Sequence, residues 1–295
     1  MPRLTLPKAQ DYIPLAPPQK NNDSVRAPSN TRKIPEVAIL KVGSAQVEYR
    51  QSGSGRDLVL LHSLLTDMTV FDGIAPALAE SRRITLINLP GYGASSPIEA
   101  TGIAQYADHI AATLHALELT AATDVFGNGF GGFISVALAI HHGANLGDFL
   151  IADALAAFPP PAKEPLRAMA ARVESEGMAA VLDVAVKRMF PDAFIAAHPE
   201  VIAQRKAALA HADARAFAAA CRALAALDFT PLLSRITNET LVAVGELDAT
   251  TPPTEAEKLA AGIPDAQFRT VPGCGHCPML EKPAELVALI DEFLS

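Results

Sequence analysis

Asp124-Val125-Phe126-Gly127-Asn128-Gly129-Phe130-Gly131-Gly132 is the stretch on which the fold turns. Its first half is a short apolar run of strand character. Its second half opens the helical pattern Phe130 to His142. Glycines stand at 127, 129, 131 and 132. They permit a sharp strand-to-helix turn and let the helix backbone lie close on the strand. A strand that runs through a tight turn into a helix is the repeating unit of a mostly parallel sheet.

The same alternation continues on both sides. Upstream, Val37 to Val42 and Ala45 to Gln51 flank Gly43-Ser44 and read as a hairpin. Leu58 to His62 is a continuous apolar run, as in a strand buried on both faces. A helix is expected around Val70 to Ala79, then a strand at Ile84 to Asn88. Ile103, Ala107, Ile110, Leu114 and Leu117 share one helical face. Downstream, Phe149 to Ala152, Leu241 to Gly245 and Phe268 to Val271 read as strands. Pro283 to Leu294 reads as a closing helix, with proline at its start. The strand signal lapses between Ala154 and Thr230, where Ala, Leu and Arg recur at helical spacing. The expected organisation is therefore an α/β core over 36–153 and 231–295, with an inserted helical cap over 154–230. Helices should cover both faces of the sheet, and ligands should bind at the carboxyl ends of its strands.

Composition narrows the function. The chain has 295 residues, half of them apolar, and a net charge of −8. Without an excess of Lys and Arg to neutralise phosphates, a general nucleic-acid binder is excluded. No apolar run approaches the ~18 residues of a membrane span, so no membrane partner is expected. Three cysteines, Cys221, Cys274 and Cys277, make no disulfide framework, and a reducing cytoplasm is the default compartment. Residues 1–35 differ from the rest. They hold seven prolines, six basic and two acidic side chains, a net +4. They read as an extended arm, either disordered or laid across a partner subunit, which leaves a homo-oligomer open.

The strand–turn–helix resembles the nucleophile elbow of the α/β-hydrolase family, whose pattern is G-x-S-x-G. The middle position here is Gly129. Four further loops of the resemblance, which runs roughly from Val37 to Ser295, occur in the family's order. His62-Ser63-Leu64 ends a strand where the family often has His-Gly. Asn88-Leu89-Pro90-Gly91-Tyr92-Gly93-Ala94-Ser95 resembles D-x-P-G-x-G-x-S. Gly245-Glu246-Leu247-Asp248 follows a strand, as the family's acid does. Gly273-Cys274-Gly275-His276 precedes the last helix, as the family's histidine does. The fold implied is an α/β-hydrolase fold with a mostly parallel eight-stranded sheet. Ser175 to Ala180, Phe194 to Glu200 and Thr66-Asp67 are similar to 3-oxoadipate enol-lactonases. The elbow is also similar to that of meta-cleavage C–C hydrolases. The resemblance implies a small carbonyl or lactone-type substrate, carboxylate-bearing or 1,3-dicarbonyl-like.

It also implies roles. His276 would be the general base, Asp248 would orient it, and the Leu64 and Phe130 amides would form the oxyanion hole around the vacated position 129. Ser63, Asn128, Arg167 and Arg188 are the candidate substrate contacts; for an arginine on a cap helix, the competing reading is a solvated face. No cofactor and no metal are expected, since Cys274-Gly275-His276-Cys277 has no second CxxC. A triad that loses its serine loses ~10⁶ in turnover. Three readings follow: an enzyme that works without a covalent serine, by hydrolysis of an ester, lactone or C–C bond or by lyase, isomerase or cyclase chemistry; a serine hydrolase disabled at Gly129 by engineering or natural loss; and a non-catalytic ligand-binding protein or receptor. Ser63, Cys274 and Cys277 are near enough in sequence to be substitute nucleophiles, though none sits on an elbow.

Overall fold

The computed structural model describes residues 36–119 and 122–294. The arm expected over 1–35 lies outside the described residues. Eight strands form one sheet: β1 (Ala38–Val42), β2 (Ala45–Gly53), β3 (Arg56–Leu61), β4 (Arg82–Ile87), β5 (Asp124–Asn128), β6 (Phe149–Ala152), β7 (Thr240–Gly245) and β8 (Gln267–Val271). Their order is β1-β2-β4-β3-β5-β6-β7-β8. The β1–β2 hairpin and the β2–β4 pair are antiparallel, and all the other pairs are parallel. Gly43 turns the hairpin with a φ of +60°.

The helices are α1 (Ala75–Leu78), α2 (Ile103–Ala116), α3 (Phe130–His142), α4 (Pro160–Glu176), α5 (Leu182–Met189), α6 (Asp192–Ala197), α7 (Pro199–Ala210), α8 (Ala214–Ala226), α9 (Pro253–Gly262), α10 (Pro278–Glu281) and α11 (Pro283–Phe293). Where one helix was expected over Val70 to Ala79, the chain makes a 3₁₀ turn (Met68–Phe71) and then the single turn of α1. Pro76, with no N–H to donate, begins a helix better than it continues one, and it falls in the first turn of α1. Prolines likewise start α4, α6 and α7, setting the breaks within the helical segment.

The central strands are apolar because both of their faces are covered. Leu58 to Leu61 of β3, and every residue of β5, β6 and β7, are buried. Register then places the loops. Leu61 of β3 pairs with Gly127 of β5, and Asn128 pairs with Ala152 of β6. Gly245 of β7 lies opposite Val271 of β8. The loops that follow β3, β5, β7 and β8 therefore emerge at one edge of the sheet. The segment between β6 and β7 carries α4 to α8, with α4 packed on α8. Among the described residues, no helix is long and apolar enough to cross a membrane.

Candidate active site

Gly129 is the first element of the site. It joins β5 to α3 with φ +54° and ψ −115°, a conformation costly for any side chain. Its neighbours are glycines for a different reason. A Cβ on Gly131 would lie 2.1 Å from the Leu61 carbonyl oxygen, and one on Gly127 would lie 2.3 Å from that of Gly131. Helix α3 thus approaches β3 more closely than side chains would allow. Gly131 N–H donates to the His62 carbonyl at 2.9 Å, which ties the elbow to the loop after β3.

That loop is held on every side. His62 donates from Nδ1 to the Ser63 carbonyl at 2.8 Å and accepts at Nε2 from Leu89 N–H at 3.0 Å. Burial pushes its imidazole down to about 4, so it is neutral with a fixed tautomer. Tyr92 Oη donates to the Leu64 carbonyl at 2.6 Å. The Ser63 carbonyl also accepts from Thr66, at its N–H and its Oγ1. The N–H groups of Leu64 and Phe130 have no acceptor among the described residues, and both residues border the same small cavity.

His276 and Asp248 arrive from the loops after β8 and β7. His276 Nδ1 donates to Asp248 Oδ2 at 2.8 Å, with both side chains buried. Asp248 also accepts from Thr250 N–H (2.7 Å), Thr251 N–H (3.1 Å) and Thr251 Oγ1 (2.5 Å). Burial by itself would raise the Asp248 carboxyl. The His276 ring and the Thr251 donors outweigh it and hold the group down to about 2. A carboxylate on Nδ1 leaves His276 Nε2 as a free lone pair. It faces Gly129, where a Cβ would lie 2.7 Å from it, and Ser63, whose Oγ is 3.3 Å away.

The histidine loop is braced from behind. Glu281 accepts from Gly275 N–H at 2.7 Å and from Cys277 N–H at 3.1 Å. His276 N–H donates to the Met189 carbonyl at 3.0 Å. Asn128 was an expected substrate contact, but its Nδ2 donates to the His276 carbonyl (3.1 Å) and to Asp153 Oδ2 (2.6 Å). Strand alternation turns it away from the cavity, into the sheet. Asp153 is a site residue that the sequence reading missed. Its Oδ1 accepts from Gly245 N–H at 3.0 Å. Burial, then the Asp248 charge, raises its carboxyl well above the usual range. The visible signal was a lone carboxylate at the carboxyl end of an apolar strand. Asp153, Asp248 and His276 offer atoms within 4.8 Å of one another. Within the cluster, His276 Nδ1 is bonded to Asp248 Oδ2, and both Asp153 oxygens accept from Asn128 and Gly245.

The two candidate arginines part company. Arg167 is 54% exposed and paired with Glu164 on the outer side of α4, away from the cavity. Arg188 of α5 lines the cavity. Among the described residues its guanidinium has no carboxylate partner. Burial lowers its affinity for the proton, and Cys221 and Asp248 oppose that. Leu166, Met169 and Leu224 complete the roof over Ser63, Gly129 and His276. The cavity, part-open to solvent, is about 30 Å³. The Cys274 and Cys277 thiols are fully buried, and burial raises both.

Several known proteins are similar to this chain. The chain is 27% identical to 3-oxoadipate enol-lactonase 1 of Acinetobacter baylyi over 80% of its own length and 88% of the lactonase. It is 28% identical to 2-hydroxymuconate semialdehyde hydrolase of Pseudomonas sp. (strain CF600), over 92% of its own length and 97% of that protein. It also matches polyketide synthase ThaQ of Burkholderia thailandensis at 29% identity, but spans only 12% of that protein. Among solved structures, a thermophilic esterase from Thermogutta terrifontis superposes with a TM-score of 0.80 at 28% identity, covering 88% of this chain and 98% of the esterase. The family profile described as "Alpha/beta hydrolase family" matches residues 58–289, most of the chain, and the protein belongs to that family.

Proposed function

We propose that this protein hydrolyses a small ester or lactone that carries a carboxylate, with His276 as general base and no acyl intermediate at position 129. The observation that carries the reading is the 2.8 Å His276–Asp248 bond with Nε2 open toward Gly129. An imidazole whose Nδ1 is held by a buried carboxylate is oriented to take a proton at Nε2. The unpartnered amides of Leu64 and Phe130 are suited to the oxyanion that develops when a carbonyl is attacked. Arg188 supplies the positive charge for the substrate carboxylate from the roof. The names of the relatives, an enol-lactonase, an esterase and a 2-hydroxymuconate semialdehyde hydrolase, are consistent with carbonyl chemistry. The test is a panel of p-nitrophenyl esters and γ-lactones, with and without a carboxylate. Arg188→Met should raise KM for the charged members about tenfold more than for the neutral ones. An equal effect on both would remove Arg188 from the reading.

The alternative reading, a serine hydrolase disabled at Gly129, is tested by restoring that serine. A Cβ at position 129 would stand 2.3 Å from Ser63 Oγ and 2.9 Å from Ser63 Cβ, so Ser63 must shift to admit it.

A further inference from the structure

Ser63 takes no part in the base-and-amide scheme, yet it sits at the centre of the site. It is 2% exposed, and its Oγ lies 3.3 Å from His276 Nε2. The distance is at the long end for O–H···N, as is common in unliganded sites. Because Nδ1 carries the proton given to Asp248, Nε2 accepts and the Ser63 hydroxyl donates. Hydroxyl, imidazole and carboxylate then stand in series. The Ser63 oxygen is 2.3 Å from where a Cβ on Gly129 would be, so it occupies the space an elbow side chain would enter. The two positions are reciprocal. The family pattern has serine at the elbow and often glycine after the loop histidine; this chain has Gly129 at the elbow and Ser63 after His62.

Other candidate nucleophiles are occupied. Thr250 Oγ1 donates to the Arg188 carbonyl at 2.8 Å, and Thr251 Oγ1 donates to Asp248. Cys274 and Cys277 are fully buried. The Ser63 backbone, by contrast, is fixed by His62 and Thr66 as a positioned nucleophile requires.

We infer that Ser63 is the nucleophile of this site, moved from the turn after β5 to the loop after β3. The inference rests on the reading of His276–Asp248 as the base of a hydrolase. In the first step the Ser63 O–H proton passes to His276 Nε2 as Oγ bonds to the substrate carbonyl carbon. The carbonyl electron pair moves to oxygen, at the Leu64 and Phe130 N–H groups. Collapse breaks the bond to the leaving oxygen, which takes the proton from Nε2 and leaves an acyl-Ser63 ester. Water then gives a proton to Nε2 and attacks the acyl carbon. Collapse of that intermediate returns the proton to Ser63 Oγ and releases the acid. An oxyanion hole ordinarily uses the amide after the nucleophile and one from the loop after β3. Moving the nucleophile exchanges those roles, since Leu64 now follows it, while the same two amides serve.

The full-length protein treated with a fluorophosphonate probe and mapped by peptide mass spectrometry should carry the adduct on Ser63. Hydrolysis of p-nitrophenyl acetate should fall at least ~10²-fold in Ser63→Ala, as in His276→Ala. In the double variant Ser63→Gly/Gly129→Ser, the adduct should move to position 129. Should Ser63→Ala fail to fold, the site of the adduct on the unaltered protein decides the matter. Turnover within threefold of the unaltered protein in Ser63→Ala, with loss in His276→Ala, overturns this inference and leaves the base reading standing. Retention in both variants overturns both. An unaltered protein that neither labels at Ser63 nor hydrolyses the ester also overturns the inference.

Discussion

At the residue scale, the site is set by two buried imidazoles held in opposite roles. His62 is a structural group, neutral because burial pushes it down to about 4, and both its nitrogens are spent on the backbone. In the unfolded chain such a group titrates near 6.5. Its contribution to stability is therefore full above pH 6.5 and is lost as pH falls through about 4. The thermal midpoint should drop across that window by an amount equivalent to a few kcal/mol, on the order set by the shift. His62→Asn should be less stable throughout and should flatten that slope. A midpoint independent of pH between 6.5 and 4 in the unaltered protein would contradict the assignment. Gly129→Ser on its own should give a poorer protein and no more than a small gain in esterase activity. It combines a positive φ with a Cβ too close to Ser63 and His276. Thermal melting and a p-nitrophenyl ester assay on this variant check the point. A stable, highly active single variant would show that the space beside Ser63 is larger than described.

At the element scale, the close seating of α3 on β3 brings the loop after β3 to the elbow. Gly131→Ala forces a methyl group into the Leu61 backbone and should cost ~1–3 kcal/mol, read from urea denaturation. A neutral result would mean that the helix can lift without loss. This seating was legible in the sequence, because close backbone approach demands glycine, and the glycines at 127 and 131 have no other use. Strand identity was legible too, since continuous apolar runs such as Leu58 to Leu61 suit strands covered on both faces. What the sequence hid was which way side chains point once elements pack. Arg167 and Arg188 both lie on helices of the inserted segment, and neither periodicity tells which one faces the sheet. Asn128 looked like a site residue from its place in the turn, but the pleat turns its amide toward Asp153. The nearness of Ser63 to Gly129 depends on the pairing of Leu61 with Gly127, a contact between segments far apart in the chain.

At the scale of the whole molecule, helices of the inserted segment roof a cavity of about 30 Å³. Arg205 of α7, itself buried, reaches across to Thr69 Oγ1 at 3.1 Å and Asp67 Oδ1 at 3.4 Å, joining the roof segment to the loop that follows β3. Arg205→Ala should increase hydrogen exchange in Pro199–Ala210 and leave β3 and β5 unchanged. Exchange equal to that of the unaltered protein would show that this contact does not restrain the roof. The order of the loops along the chain made the overall plan readable, since acid and histidine each follow a strand and precede a helix. How the roof helices pack was not readable, because α4 and α8, which pack on each other and both line the cavity, are rich in alanine. The measurement that bears most directly on the account is the hydrolysis of a p-nitrophenyl ester and γ-lactone panel by the intact protein and by His276→Ala. Measurable turnover by the intact protein should fall at least ~10²-fold in the variant, while the melting temperature stays within a few degrees. Turnover that survives the loss of His276 within twofold would contradict the reading of His276 as the base.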